Sequence, residues 1–377
     1  MNNPFNEVKG KLGFGLMRLP SGGKEEAYDE IKAMADEFIA AGFNYFDTAH
    51  GYLEGLSEIA MRECVSKRYP REKFVLADKL SETFFNTREE IRPFLLSQLK
   101  ACGVEYFDFY LMHAQCARNY VKYQECKAYE TAFELKREGL VRHVGLSFHD
   151  DPSVLDRILN DHPEVEFVQL QFNYADYDDA GVQSRKCYDV ARKHGKPVIV
   201  MEPVKGGTLV NLPEKALNEF KVLGGGSAAS YAVRYAAGFD GVFMVLSGMS
   251  SLAQMHDNVS YMRDFKPLDA HEKMAVENVK RILRGMDAVA CTACRYCVDG
   301  CPKAIPIPDV FADYNNKKLH KNWNSVYYYG VHTSGKGKAS DCIKCGKCEN
   351  ACPQHLPIRE LLLDAAKEME EKEETGD

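Results

Sequence analysis

The chain predicts an α/β fold in two parts: a closed (β/α)8 barrel over residues 1–286, then a small cysteine-rich domain over residues 287–377. Three observations carry this reading. Short apolar segments bounded by turn residues alternate with amphipathic stretches through roughly the first 260 residues, the pattern of repeated strand–helix units. There are eight such segments, which close into a barrel more readily than they spread into an open sheet. From Asp287 onward the composition shifts to Cys, Pro and Lys, and two cysteine runs follow, CTACRYCVDGCP (291–302) and CIKCGKCENACP (342–353).

The strand candidates, in order, are LGFGLM (12–17), FNYFDT (43–48), FVLADK (74–79), FDFYLMH (107–113), HVGLSF (143–148), FVQLQF (167–172), PVIVME (197–202) and VFMVLS (242–247). Between them, stretches such as 24–42 and 87–103 show helical spacing. In the second, Ile91, Leu95 and Leu99 form one stripe, and Thr87 with Glu90 predicts a capping box. An open doubly wound sheet would place a Gly-rich phosphate turn directly after its first strand. GFGLMRLPSGG has the glycines without that spacing. A helix over 269–285 leads out of the barrel. The segment between the cysteine runs holds the sole tryptophan, Trp323, and a YYYG cluster, from which this small module is expected to build a core together with its metal.

At 377 residues the length suits about two domains, and 45% hydrophobic with 27% charged residues is the balance of a globular chain. A net charge of −7 gives no basic footprint and argues against nucleic acid as the partner. The acidic end, DAAKEMEEKEETGD, reads as a solvated helix end. The first residues lack a secretory signal, and no run reaches the length of a membrane span. Thirteen cysteines without an export signal suggest a reducing compartment, where clustered thiols hold metal more often than they pair. The expectation is a cytoplasmic protein with no membrane partner.

Each cysteine run reads C-x2-C-x2-C-x3-C-P, the bacterial arrangement for [4Fe–4S] cubanes. Cysteines three apart let one tight loop present three thiolates to three corners of a cube, while the fourth, before proline, leaves that loop. Zinc is the competing reading, because paired C-x2-C elements also make four-thiolate sites, but two complete runs exceed what one such site needs. The runs resemble those of two-cluster ferredoxins. That resemblance implies Cys291, Cys294, Cys297 and Cys352 for one cluster and Cys342, Cys345, Cys348 and Cys301 for the other. The scattered Cys64, Cys102, Cys116, Cys126 and Cys187 read as small hydrophobes.

Chemistry in such a barrel sits at the C-terminal strand ends. Asp47 closes the second strand candidate, with Tyr52 just beyond it; Lys79 closes the third and His113 the fourth. Taken singly, these are a helix-capping acid, a packed tyrosine, a surface lysine and a satisfied histidine. Together on consecutive strand ends they suit proton transfer to a carbonyl. Lys79 is expected to lower the tyrosine pKa, Asp47 to hold the lysine, and His113 to orient the carbonyl. A nicotinamide would supply the hydride.

At FDTAHGY, ADK and LMH the chain resembles the aldo-keto reductase family, over about residues 8–265. The resemblance implies Tyr52 as general acid, Lys79 as its partner, Asp47 as the lysine's anchor and His113 as the carbonyl orienter. It also implies Ser147 and Gln169 against the nicotinamide amide, with Phe148 where the family has Asn, and Met201 where a stacking aromatic is usual. Asn258 matches the adenosine-phosphate segment, whereas Gly248 and Gln254 replace its usual basic residues, so either NADPH or NADH is expected. The whole resembles the family members with an appended ferredoxin-like domain.

The function expected is reduction of a small carbonyl, or oxidation of an alcohol, with two [4Fe–4S] clusters for electron transfer and a ferredoxin or flavodoxin as electron partner. Two other readings stay open: an electron carrier whose barrel is a docking scaffold, and a flavin-dependent reductase.

Overall fold

The computed structural model describes residues 4–179, 182–285, 288–320 and 325–370. Eight parallel strands close in sequence order: β1 (Leu12–Gly15), β2 (Tyr45–Asp47), β3 (Val75–Leu80), β4 (Phe107–Gln115), β5 (Val141–Phe148), β6 (Phe167–Gln171), β7 (Val198–Met201) and β8 (Val242–Ser247), with β1 pairing β8. Parallel strands are covered on both faces, so they read as near-continuous apolar runs, and all eight candidates contain one. Boundaries differ where the chain turns early. β1 stops at Gly15 and passes into a 3-10 turn over Leu16–Arg18, while β4 and β5 run longer than their apolar cores.

Two shells of core hold the barrel. Inside it, Tyr45, Phe109, Phe167, Phe243 and Met244 interdigitate, and Phe5 plugs the bottom with its ring 5.0 Å from both Phe109 and Phe243. Outside, strand residues such as Phe14, Phe46 and Tyr110 pack on helix residues such as Phe38, Leu95 and Leu99. The helix predicted over 87–103 spans Arg88–Cys102 and buries Ile91, Leu95 and Leu99 as expected. Its capping box does not form: Glu90 instead accepts from the Asn86 amide at 2.6 Å, one residue before the cap. The helix leading out spans Ala270–Arg284. Asp269 and Glu272 cap it reciprocally, each bond 2.9 Å, and Arg234 clamps Glu272 with two bonds of 2.7 and 2.8 Å.

The boundary expected between residues 286 and 287 lies outside the described residues, as do Trp323 and the acidic residues 371–377. Beyond the boundary the module repeats itself at an offset of 51 positions. Cys291 matches Cys342 and Cys301 matches Cys352; helix Tyr296–Asp299 matches Lys347–Asn350, and the start of Ile307–His320 matches that of Ile358–Glu370. Left-handed residues repeat too: Ala293 with Lys344, Arg295 with Gly346, and Ala304 with His355. Such residues curl each loop around its cysteines. The core between the halves is Ile305, Ile307, Val310, Phe311, Ile358 and Leu362. Of the tyrosine cluster, Tyr329 joins this core while Tyr328 is half exposed.

Candidate active site

The module seats on the C-terminal mouth of the barrel. Arg18, just beyond β1, donates to the Thr292 carbonyl at 3.0 Å, and Lys205, beyond β7, donates to Gln354 Oε1 at 2.7 Å. Gly206 lies against the same carbonyl: its φ is +62°, and a Cβ there would stand 2.2 Å from Thr292 O. Only glycine meets both demands. Beneath this seat lies a cavity of about 620 Å³ whose wall includes Asp47, Tyr52 and His113 from the barrel and Cys294 and Tyr296 from the module.

Strand register sets the barrel side. Lys79, fully buried on β3, donates to Asp47 Oδ1 on β2 at 2.7 Å and to the Thr48 carbonyl at 2.7 Å. Its ammonium stands 4.7 Å from the centre of the Tyr52 ring. Tyr52 and His113 meet edge to face at 5.9 Å. Burial pushes the Tyr52 phenol well above its ordinary range, and Asp47, Asp78 and Glu202 add to this. This corrects the expectation of a lowered value: taken out of water among carboxyl groups, Tyr52 rests protonated. Burial, then Lys79 and His149, hold His113 well below its ordinary value and therefore neutral. Ser81 Oγ lies 2.5 Å from His113 Nδ1. If Nδ1 accepts there, the ring proton sits on Nε2, where it can donate.

Ser147 and Gln169 are register partners on β5 and β6. Ser147 Oγ accepts from the Ala114 amide at 2.7 Å and keeps its own proton to donate. Gln169 gives Nε2 to the Met201 sulfur at 3.3 Å, while its buried Oε1 has no partner. The pair suits a carboxamide, which needs one donor and one acceptor, and a nicotinamide fits the residues present. Asn258 lines the far end of the cavity with its amide already used, accepting from Ser247 at 2.8 Å and donating to the Gln254 carbonyl at 3.0 Å. Lys205 is committed to Asp176 and Gln354, which leaves it unavailable to a phosphate.

Sequence reasoning missed four residues here. His149, directly after β5, lines the cavity with its Nδ1 buried and unpartnered; burial and then His355 bring its pKa down to about 4. Glu202 takes a left-handed φ of +57°, and burial raises its pKa against the pull of Arg18. Tyr296 and Gln354 come from the module. Phe148, in the family's Asn position, is buried in the outer core.

The eight run cysteines fall into two sets. Cys291, Cys294, Cys297 and Cys352 line one cavity; Cys301, Cys342, Cys345 and Cys348 line another. Each set draws its fourth member from the opposite run. Burial, then Cys352, Glu202 and Cys291, push the Cys294 thiol up to about 11, and burial pushes Cys348 up to about 11. Four clustered thiols cannot all ionise without a cation among them, so the donor set suits a metal cluster. The Ala293 amide donates to Cys291 Sγ at 3.4 Å. Of the scattered cysteines, Cys64, Cys102, Cys126 and Cys187 are buried, as small hydrophobes would be, and Cys116 caps a helix.

Fold and site together define a barrel oxidoreductase with an iron–sulfur module over its mouth. The aldo/keto reductase family model matches residues 11–281, and that of the 4Fe-4S dicluster domain matches residues 290–356. The chain belongs to the aldo/keto reductase family. It is 21% identical to the uncharacterized oxidoreductase YqkF of Bacillus subtilis, over 72% of this chain and 95% of that protein. It is 25% identical to the NADH-specific methylglyoxal reductase of Escherichia coli, over 45% of this chain and 54% of that one. Among solved structures, the aldo-keto reductase AKR11C1 of Bacillus halodurans superposes with a TM-score of 0.57 at 25% identity, covering 71% of this chain and 91% of its own. A Klebsiella pneumoniae aldo-keto reductase in complex with NADPH superposes at 0.58 with 19% identity, over 71% and 90%. No helix among the described residues is long and apolar enough to cross a membrane.

Proposed function

We propose that this chain is a nicotinamide-linked, cytoplasmic oxidoreductase of small carbonyl compounds or the matching alcohols, and that it carries two [4Fe–4S] clusters. The supporting observation is one shared cavity, lined by Tyr52 and His113 of the barrel and by Cys294 of the first cysteine run. In the reducing direction Tyr52 donates its phenolic proton to the carbonyl oxygen. His113 donates from Nε2 to the same oxygen and orients it, and the Lys79 ammonium, anchored on Asp47, steadies the charge left on the phenol. Ser147 and Gln169 would hold the nicotinamide amide, and Asn258 would shape the adenosine end. NADPH or NADH supplies a hydride when bound there, and the clusters supply single-electron chemistry. The cysteine sets would hold the clusters, the inner set beside the reacting centre and the outer one facing a ferredoxin or flavodoxin.

Anaerobic purification with iron, sulfide and cofactor analysis of one sample tests the reading. About eight irons and eight sulfides per chain are expected. Zinc without sulfide would overturn the cluster assignment. Nicotinamide oxidation with a panel of aldehydes is expected on mixing; its absence across the panel, or tightly held flavin, would overturn the nicotinamide chemistry.

A further inference from the structure

The two halves of the module repeat at an offset of 51 positions, so a face built from one half has an equivalent built from the other. The face over the barrel mouth consists of Thr292, Cys294, Tyr296, Pro353 and Gln354. Shifting each by 51 positions gives Ile343, Cys345, Lys347, Pro302 and Lys303. All five counterparts are exposed, Ile343 to 57%. The same face therefore occurs twice, once packed on the barrel and once turned to solvent.

The exposed copy surrounds the outer cysteine set. Pro302, Lys303, Ile343 and Cys345 line the cavity of that set, and Cys345 is its exposed member. A Cβ on Gly300 would lie 3.9 Å from the Lys347 Cβ, which puts this lysine beside Cys301. A Cβ on Gly337 would stand 2.3 Å from the Lys303 carbonyl oxygen, so the loop bearing Lys336 and Lys338 packs against the same segment.

Charge separates the two copies. Where the packed face has Tyr296 and Gln354, the exposed one has Lys347 and Lys303, and Lys344, Lys336 and Lys338 add three more exposed cations. The neighbouring acids are engaged: Glu349 with Arg359, Asp341 on the Lys338 amide, and Asp299 beside Arg295. Five lysines around an exposed isoleucine thus form a local basic rim on a chain whose net charge is −7. Such a rim steers an oppositely charged protein and repels a basic one, while the apolar centre supplies the contact.

We propose that this face, Ile343 ringed by Lys303, Lys336, Lys338, Lys344 and Lys347, is the docking surface for an acidic ferredoxin. The proposal rests on reading the outer cysteine set as a cluster site, and it seats the carrier directly against that set, as the first copy of the face seats the barrel against the inner one.

The test is equilibrium binding, which needs no turnover. Cluster-loaded protein is titrated in a calorimeter with an acidic two-cluster bacterial ferredoxin, and with a basic c-type cytochrome as the opposite-charge probe. The ferredoxin should bind, and its dissociation constant should rise at least about tenfold as ionic strength goes from about 0.05 to 0.5 M, whereas the cytochrome should not bind. The double variant Lys344→Glu, Lys347→Glu should weaken binding at low salt by at least about tenfold, with iron and sulfide content unchanged. Lys303→Glu with Lys336→Glu lies outside the cysteine runs and reports even if the first pair disturbs cluster loading. Lys9 and Lys73, on the barrel floor, are the controls: their reversal to Glu should leave the constant within about twofold.

Binding indifferent to salt, equal weakening by the floor variants, or tighter binding of an acidic flavodoxin would overturn the proposal. So would a dimer lost with the lysines, which would give the face to a second copy, or ferredoxin binding only after residues 371–377 are removed, which would give it to the chain's own acidic end. Full cluster content without ferredoxin binding would overturn the docking face alone; zinc without sulfide would overturn the cluster reading beneath it.

Discussion

Lys79 holds its ammonium 4.7 Å from the centre of the Tyr52 ring and spends its hydrogen bonds elsewhere, on Asp47 and the Thr48 carbonyl. The lysine therefore faces the ring rather than bonding the phenol oxygen, and burial keeps that phenol protonated. Tyr52→Phe keeps the ring and removes the proton. Turnover of a carbonyl that the wild type reduces should fall by about 10²–10⁴-fold, with fold and cluster content intact. Unchanged turnover would remove Tyr52 from the chemistry.

The same pair predicts an asymmetric stability effect. Lys79→Met leaves Asp47 buried without its cation, and breaking a buried pair costs about 3–5 kcal/mol. Burial already raises the Asp47 pKa, opposed by Lys79, so the orphaned acid should take up a proton rather than stay charged. Adding Asp47→Asn to Lys79→Met should then recover part of the loss in a denaturant titration.

At the barrel floor His143 bridges two acids, Glu166 at 2.8 Å and Glu7 at 2.7 Å. Burial works against its charge, but the two carboxylates win and its pKa is raised. A raised folded value means the stabilisation is complete below the unfolded pKa of about 6.5 and is lost as pH climbs through the folded value. His143→Gln should therefore lower the thermal midpoint more at about pH 6 than at about pH 9. An equal loss at both would show that the ring serves only as packing.

Gly206→Ala should unseat the module. Gly139 provides the control: its φ is +83° with nothing within 4 Å, so Gly139→Ala carries backbone strain alone. Hydrogen exchange over residues 290–297 should accelerate in Gly206→Ala and stay at the wild-type rate in Gly139→Ala. Equal behaviour would show that the contact with Thr292 does not hold the seat.

Discrimination between the two nicotinamide dinucleotides should be weak. Neither Gly248 nor Gln254 offers a cation, Asp257 lines the same end of the cavity, and Lys205 is committed elsewhere. The dissociation constants of NADPH and NADH should agree within about tenfold, because the charge-assisted bonds that would separate them are missing. A thousandfold preference for NADPH would point to Arg18, which lies beside Gly248.

All eight strands were legible because a parallel strand covered on both faces must be apolar throughout, and turn residues mark its ends. Asp47, Lys79 and His113 were legible because the barrel rule says where polar residues at strand ends point. The cysteine partition came from spacing and resemblance, and the two cavities divide the same way. His149 was hidden because one histidine beside a recognised motif carries no pattern. Gln354 and Tyr296 were hidden because their roles depend on where a second folded body docks, which no local periodicity encodes. The false capping box at Thr87 had the right residues; the chain turned one position early and Asn86 took the acid.

The exchange of one cysteine between the two halves of the module has a consequence for assembly. Each set reaches four cysteines only by taking one from the opposite run, so neither loop is complete without its twin. If both sets hold clusters, as proposed above, ordering one loop around its cluster helps to place the cysteine that completes the other.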